Sequence, residues 1–178
     1  MKFEIKITEN ITMGLLEESD AQNLYNLIDN NRSFFRRFLS WVDDTTSVEH
    51  SLDKIRKDIS GFNSGESLEF GIFFHGRLIG RCGFHEITKR SAEIGYLLDQ
   101  SVTRRGIMTQ CVKVITQYGL DSLEKHRIVI KMNPMNTASR SIPERLNYTY
   151  EGTERESSID TEGSCRNTEV WSFIKGDS

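Results

Sequence analysis

The stretch Glu93–Thr109 reads EIGYLLDQSVTRRGIMT. Residues Ala92 to Leu98 have the composition of a strand, a polar loop follows, and from Gly106 the residues Ile107, Cys111, Ile115 and Tyr118 or Gly119 recur at helical spacing. A helix N-terminus presents backbone N–H groups without intrahelical partners and the positive end of the helix dipole. Gly106 allows the backbone to approach a ligand closely, while Arg104 and Arg105 add charge and bidentate donors. Such a loop suits a phosphate or pyrophosphate. It suits equally a solvated basic loop ahead of a surface helix. It matches neither the P-loop nor the dinucleotide fingerprint.

Around this stretch the pattern extends in both directions. Downstream, Arg127 to Met132 is a strand, Thr137 to Leu146 a short helix after an Asn136 cap, and Tyr148 to Ser157 and Asn167 to Lys175 two closing strands. Pro143 supplies no N–H for the Ser139 carbonyl, so that helix is short or distorted beside Ser139. Upstream, Leu68 to Phe74 and Arg77 to Ile87 form a hairpin around His75-Gly76. Two helices precede them. One, capped by Ser19 or Asp20, runs through Leu24, Leu27 and Ile28; the other, capped within Thr45 to Ser47, runs through Val48, Leu52, Ile55 and Ile59. Phe3 to Leu16 opens the chain as an edge strand with hairpin character. Meander pairs around one strand–helix–strand crossover imply an α+β fold with a mixed, mainly antiparallel sheet of about seven strands and about four helices.

Composition narrows the function classes. The 178 residues suit one domain over 1–178, without repeats or linkers. A net charge of −3 disfavours non-specific nucleic-acid binding. No apolar run approaches the ~20 residues of a membrane span, and the start lacks a signal-peptide core, so the expected location is the cytoplasm. Cys82, Cys111 and Cys165 fit neither a disulfide framework nor a zinc site, and His50, His75, His85 and His126 share no ligand spacing, so no metal is expected.

Three blocks then carry a resemblance: AEIGYLLD at Ala92–Asp99, TRRGIMT at Thr103–Thr109 and NTASRSIPERLNYTYEG at Asn136–Gly152. With LLEESDAQNLYNLIDNN and FLSWVDDTTSVEH upstream, they make the chain similar, in order and over nearly its whole length, to the GCN5-related N-acetyltransferase (GNAT) superfamily. Within it, they resemble the subgroup that acetylates the N-terminal serine or alanine of ribosomal proteins. The resemblance implies acetyl-CoA as co-substrate, transfer to the α-amine of a protein N-terminus by direct attack, and a possible homodimer. It implies that the strand over Glu93–Leu98 bulges and splays from Arg127–Met132, and that backbone groups of Leu97 and Leu98 bind the pantetheine arm. Amides of Thr103, Arg104, Arg105, Gly106, Ile107, Met108 and Thr109 would wrap the pyrophosphate. Asn136 would contact the pantetheine, and Ser139 would protonate the leaving thiolate.

The family loop carries Gln or Arg where this chain has Thr103, a small residue where it has Met108, and often a glycine where it has Arg104. A positive φ at Arg104 would cost about 1 kcal/mol or more. Many relatives use a tyrosine acid seven residues after the asparagine; here that position is Pro143, which leaves Ser139. An α-amine titrates near ~8 against ~10.4 for lysine, so one carboxylate suffices as base, and Glu156 is the candidate, with Glu93 behind it. Glu156 also reads as a charge on a solvated strand face, and Asn136 as a plain cap. His85 reads as a hydrogen-bonded structural residue beside the acceptor cleft. Two further functions remain open: acetylation of a small amine such as a polyamine or aminoglycoside, with Asp43, Asp44 and Glu49 as carboxylate suppliers, or a non-catalytic CoA-binding module.

Overall fold

A computed structural model describes residues 3–177. The chain opens with a hairpin of β1 (Glu4–Lys6) and β2 (Ile11–Leu15), because the Thr8 hydroxyl accepts from the N–H groups of Asn10 and Ile11 and turns the chain back. The helices α1 (Ala21–Asn30), α2 (Arg32–Phe35) and α3 (Val48–Ser64) follow. Then come β3 (Leu68–Phe74), β4 (Arg77–His85) and β5 (Ser91–Leu98), the helix α4 (Ile107–Asp121), β6 (Arg127–Met132), α5 (Thr137–Arg145), β7 (Thr149–Ile159) and β8 (Cys165–Ile174). The described residues thus hold eight strands and five helices, against about seven and four expected. The differences are the hairpin break at Thr8 and the single turn of α2. The β3–β4 turn at His75 and Gly76 has φ of 48° and 77°, the pair of left-handed residues that a two-residue turn between twisted strands requires.

One mixed sheet runs in the order β1-β2-β3-β4-β5-β6-β8-β7. Every neighbouring pair is antiparallel except β5 and β6. That parallel contact is short, running only from Ser91 opposite Arg127 to Ile94 opposite Ile130.

Two apolar layers sandwich the sheet. On one face Phe70, Ile72, Cys82, Phe84, Ile94, Ile128 and Ile130 pack against Ile107, Cys111, Val112 and Ile115 of α4 and Ile142 of α5. On the other, Leu78 and Leu97 pack against Leu24, Leu27 and Ile28 of α1 and Ile55 of α3. Within β4, Ile79 and Cys82 point to the same face although their numbers differ in parity. The register explains this: Ile72 pairs with Gly80 and Phe73 with Leu78, so Ile79 is the extra residue of a bulge that flips the alternation. Arg81, buried on the α3 side, binds Asp58 at 2.6 Å and Glu69 at 3.4 Å, which ties α3 to the sheet. Among the described residues no helix is long and apolar enough to cross a membrane.

Candidate active site

The short parallel contact creates a fork. Beyond Ile94 and Ile130, residues Gly95–Leu98 of β5 have no partner on β6, whereas β6 continues against β8 to Met132. The bulge expected in β5 is absent: its pairing with β4 runs from His85 opposite Glu93 to Gly80 opposite Leu98 without a register shift. The bulge lies one strand away, at Ile79, and the β5–β6 gap arises from divergence. Gly80 faces this part of β5 closely, for a Cβ there would sit 2.5 Å from the Leu97 carbonyl oxygen. Leu97 and Leu98 bury their side chains in opposite layers, so their backbones are what they offer to the gap.

At the open end of the fork the chain turns through Asp99–Gly106 into α4. Thr103 donates its hydroxyl to the Gln100 carbonyl at 2.9 Å, and Arg105 donates to the Ser101 carbonyl at 3.3 Å. Arg104 has φ of 62° and Gly106 φ of 73°. The left-handed conformation costs glycine little and arginine about 1–2 kcal/mol. Gly106 is the N-cap residue, and no side chain caps the helix. Ile107 and Met108 are buried, so this first turn offers an anion its backbone N–H groups, flanked by exposed Arg104 and Arg105. An anionic donor with an extended, amide-bearing arm fits this arrangement of an uncapped helix start and an unpaired strand edge.

The helix α5 closes the same face of the fork. Asn136 caps it, its Oδ1 accepting from the Ser139 N–H at 3.1 Å. Pro143 leaves the Ser139 carbonyl without its helical donor, and the Tyr96 hydroxyl of β5 takes that place at 3.1 Å. Ser139 Oγ donates in return to the Tyr96 oxygen at 2.9 Å. Burial pushes the Tyr96 phenol well above its ordinary range, only partly offset by the Ser139 hydrogen bond. Sequence reasoning missed Tyr96; the orphaned carbonyl was the available signal, and its partner comes from a strand 43 positions away. Arg140, next in α5, lies 3.4 Å from buried Glu169 of β8 and stacks over Trp171, which anchors the helix.

The opposite face of the sheet is open beside the paired stretch of β5 and β6, at the closed end of the fork. A cleft of about 520 Å³ is lined by strand and loop residues only, among them Glu93, Lys131, Arg127, Glu151 and Glu154. His85 Nε2 lies 3.1 Å from Glu93 Oε1, and its ring rests against Gly95, where a Cβ would come within 2.9 Å. The hydrogen bond to Glu93 raises the His85 pKa against the opposing effect of burial. Lys131 reaches both Glu93, at 3.8 Å, and Glu154, at 3.5 Å. Glu151 is paired with both terminal nitrogens of Arg127 and accepts from Ser172 at 2.8 Å; the guanidinium holds its carboxyl down to about 2. Glu156 stands in a second irregular stretch, between Glu154 and Ser158 of β7, with φ of 51° and its N–H donated to Asn167 Oδ1 at 2.9 Å. It is exposed and does not line the cleft, which Glu93 and Glu154 do. Asp43 is engaged by Arg36 at 2.8 Å. Among the described residues no group of three His, Cys, Asp or Glu side chains is arranged to hold a metal ion.

Comparison with known proteins agrees with this geometry. The family model described as "Acetyltransferase (GNAT) domain" matches residues 10–149. The putative ribosomal N-acetyltransferase YdaF of Bacillus subtilis is 30% identical over 160 residues, covering 86% of each chain. The ribosomal-protein-serine acetyltransferase of Escherichia coli is 29% identical over 150 residues, covering 83% of this chain and 84% of that one. Among solved structures, RimL, a ribosomal L7/L12 α-N-protein acetyltransferase in complex with coenzyme A, superposes with a TM-score of 0.93 at 24% identity, over 99% of this chain and all of the other. That likeness establishes the fold. With a family model covering most of its length and a fork whose mouth is an uncapped helix start, the chain belongs to the GNAT acetyltransferases, enzymes that carry an acetyl group from acetyl-CoA to an amine.

Proposed function

We propose that this enzyme acetylates the α-amine of a protein N-terminus, with a ribosomal protein as the acceptor class. The observation that carries the reading is the fork between β5 and β6, with an anion-binding turn at its open end on the α4 side and a strand-lined cleft beside its closed end on the other face of the sheet. The thioester would enter from the first side, with its pyrophosphate on the amides of Arg104–Thr109, since the Thr103 N–H expected there is donated to the Gln100 carbonyl at 3.3 Å, and its pantetheine against Leu97, Leu98 and Asn136. The amine would enter from the second. Two reactants held at one gap gain the rate advantage of an intramolecular reaction.

The cleft favours a single ammonium group over a polycation. Three of its four lining acids are paired: Arg127 occupies Glu151, and Lys131 bridges Glu93 and Glu154, with Glu86 the fourth. Asp43, a supplier that the small-amine reading needs, is held by Arg36. An open groove between strands also leaves room for the chain that follows an N-terminal residue. YdaF and the E. coli enzyme, both named as ribosomal acetyltransferases, support the same acceptor class.

In this reading a carboxylate or a water held by it takes the proton from the ammonium. The geometry favours Glu93, at the fork, over Glu156, on the β7 irregularity. The neutral nitrogen then attacks the thioester carbon, a C–N bond forms and the C–S bond breaks. Ser139 hydrogen-bonds the departing sulfur, and the second nitrogen proton ends on it as the thiol.

The test is release of CoA thiol from acetyl-CoA with peptides bearing free N-terminal Ser, Ala or Met, with the same peptides N-acetylated, and with polyamines. Release with free N-termini alone is expected. Turnover of polyamines with none for the free peptides would overturn the acceptor assignment.

A further inference from the structure

We infer that Tyr96 is a positioning residue for Ser139, holding its hydroxyl ready to donate to the leaving sulfur. The inference rests on the role proposed above for Ser139. It starts from Pro143. The Ser139 carbonyl would normally accept from the N–H four residues later, and that residue is a proline. A partly buried carbonyl without a donor carries a cost, and the Tyr96 O–H fills the vacancy at 3.1 Å.

A phenol has one proton. While Tyr96 donates it to the Ser139 carbonyl, its oxygen can only accept, and it accepts from Ser139 Oγ at 2.9 Å. The two residues therefore form a closed pair, with the Ser139 proton pointed at Tyr96. Asn136, capping through the Ser139 N–H, fixes the same residue from a third direction.

Charge on a departing sulfur offers the Ser139 proton a better acceptor. As it turns, the Tyr96 O–H can swing from the Ser139 carbonyl to Ser139 Oγ, and donation into that oxygen strengthens Ser139 as a donor. Tyr96 keeps its proton throughout; burial makes the phenolate unfavourable. The proton that reaches sulfur comes from the amine nitrogen through Ser139, which takes one and gives one.

The test measures kcat, KM for acetyl-CoA and melting temperature for Tyr96→Phe, Ser139→Ala, Pro143→Ala and the pairwise combinations. Ser139→Ala is expected to lower kcat. Tyr96→Phe should lower kcat about tenfold, the worth of one hydrogen bond made stronger in the transition state, with little change in KM. In the Ser139→Ala background it should cost nothing further. Restoring an N–H at position 143 gives the Ser139 carbonyl a helical donor. Tyr96→Phe with Pro143→Ala should therefore regain melting temperature while kcat stays low. Recovery of kcat in that double variant would mean that Tyr96 serves only the carbonyl, and would overturn the inference. So would a Tyr96→Phe loss that multiplies with Ser139→Ala, or no loss at all. If Ser139→Ala alone keeps full kcat, the role of Ser139 falls and this inference with it. If Ser139→Ala loses kcat and Tyr96→Phe does not, only the inference falls.

Discussion

Replacing Arg104 with glycine should make the enzyme more stable and a poorer binder of acetyl-CoA. Arg104 sits at φ 62°, in the turn ahead of α4. An L-residue there costs about 1–2 kcal/mol, whereas glycine loses about 0.5–1 kcal/mol through the extra freedom of its unfolded chain. The difference favours Arg104→Gly by roughly 0.5–1 kcal/mol, or about 1–4 °C in melting temperature for a chain of this length. The side chain is exposed, so little packing is lost. Against this, a guanidinium about 4 Å from a phosphate in water contributes about 1 kcal/mol, close to a fivefold change in affinity. Arg104→Ala separates the two effects, since it keeps the strained backbone and removes the charge. The assay is thermal melting of the free enzyme, with CoA titration at low and high salt. Arg104→Gly should melt higher than wild type, and Arg104→Ala should not. Both should bind CoA about fivefold more weakly at low salt, with the gap closing at high salt. A lower melting temperature for Arg104→Gly, or unchanged CoA affinity at low salt, would refute the reasoning.

Glu93→Gln should lower kcat with free-N-terminal peptides more than Glu156→Gln does; the reverse result would return the base to β7. Gly80→Ala drives a Cβ to within 2.5 Å of the Leu97 carbonyl oxygen, so it should cost about 2 kcal/mol or more of stability and weaken acetyl-CoA binding together, seen by melting and titration. Glu151 has its pKa lowered from 4.5 to about 2 by Arg127, so its contribution is present above 4.5 and is lost as pH falls from there through about 2. Glu151→Gln should therefore flatten the fall in melting temperature across that window. With the pair about a third exposed, the difference is modest and shrinks in salt.

Most of the framework was legible from local chemistry. Leu68–Phe74 and Arg127–Met132 are bounded as their composition indicates, His75-Gly76 supplies two left-handed residues in succession, and Asn136 caps α5. Asn147, just after α5, takes a positive φ of 58°, a region that asparagine tolerates better than most residues. The Ile79 bulge was hidden because β4 is buried on both faces, so its sequence carries no alternation to reveal a slip. The irregularity around Glu156 was hidden for the opposite reason, since β7 is exposed along nearly its whole length. Tyr96 with Ser139, and His85 with Glu93 and Lys131, join residues from different elements. Pairing of that kind follows from the sheet order, which no short window contains.

The same sheet order has a mechanical consequence. Everything from β1 to β5 is one antiparallel meander, and β6, β8 and β7 form a second antiparallel unit with β8 in its middle. The backbone seam between them is four residue pairs long. Such a sheet is two plates joined by a short weld, and in the proposed function the unwelded length is the slot for the donor. A molecule seated there would act as a stitch along the line where the fold is least fastened. Each turnover would then tighten and release the enzyme's own tertiary structure, and the resting protein would be at its most compliant when its slot is empty.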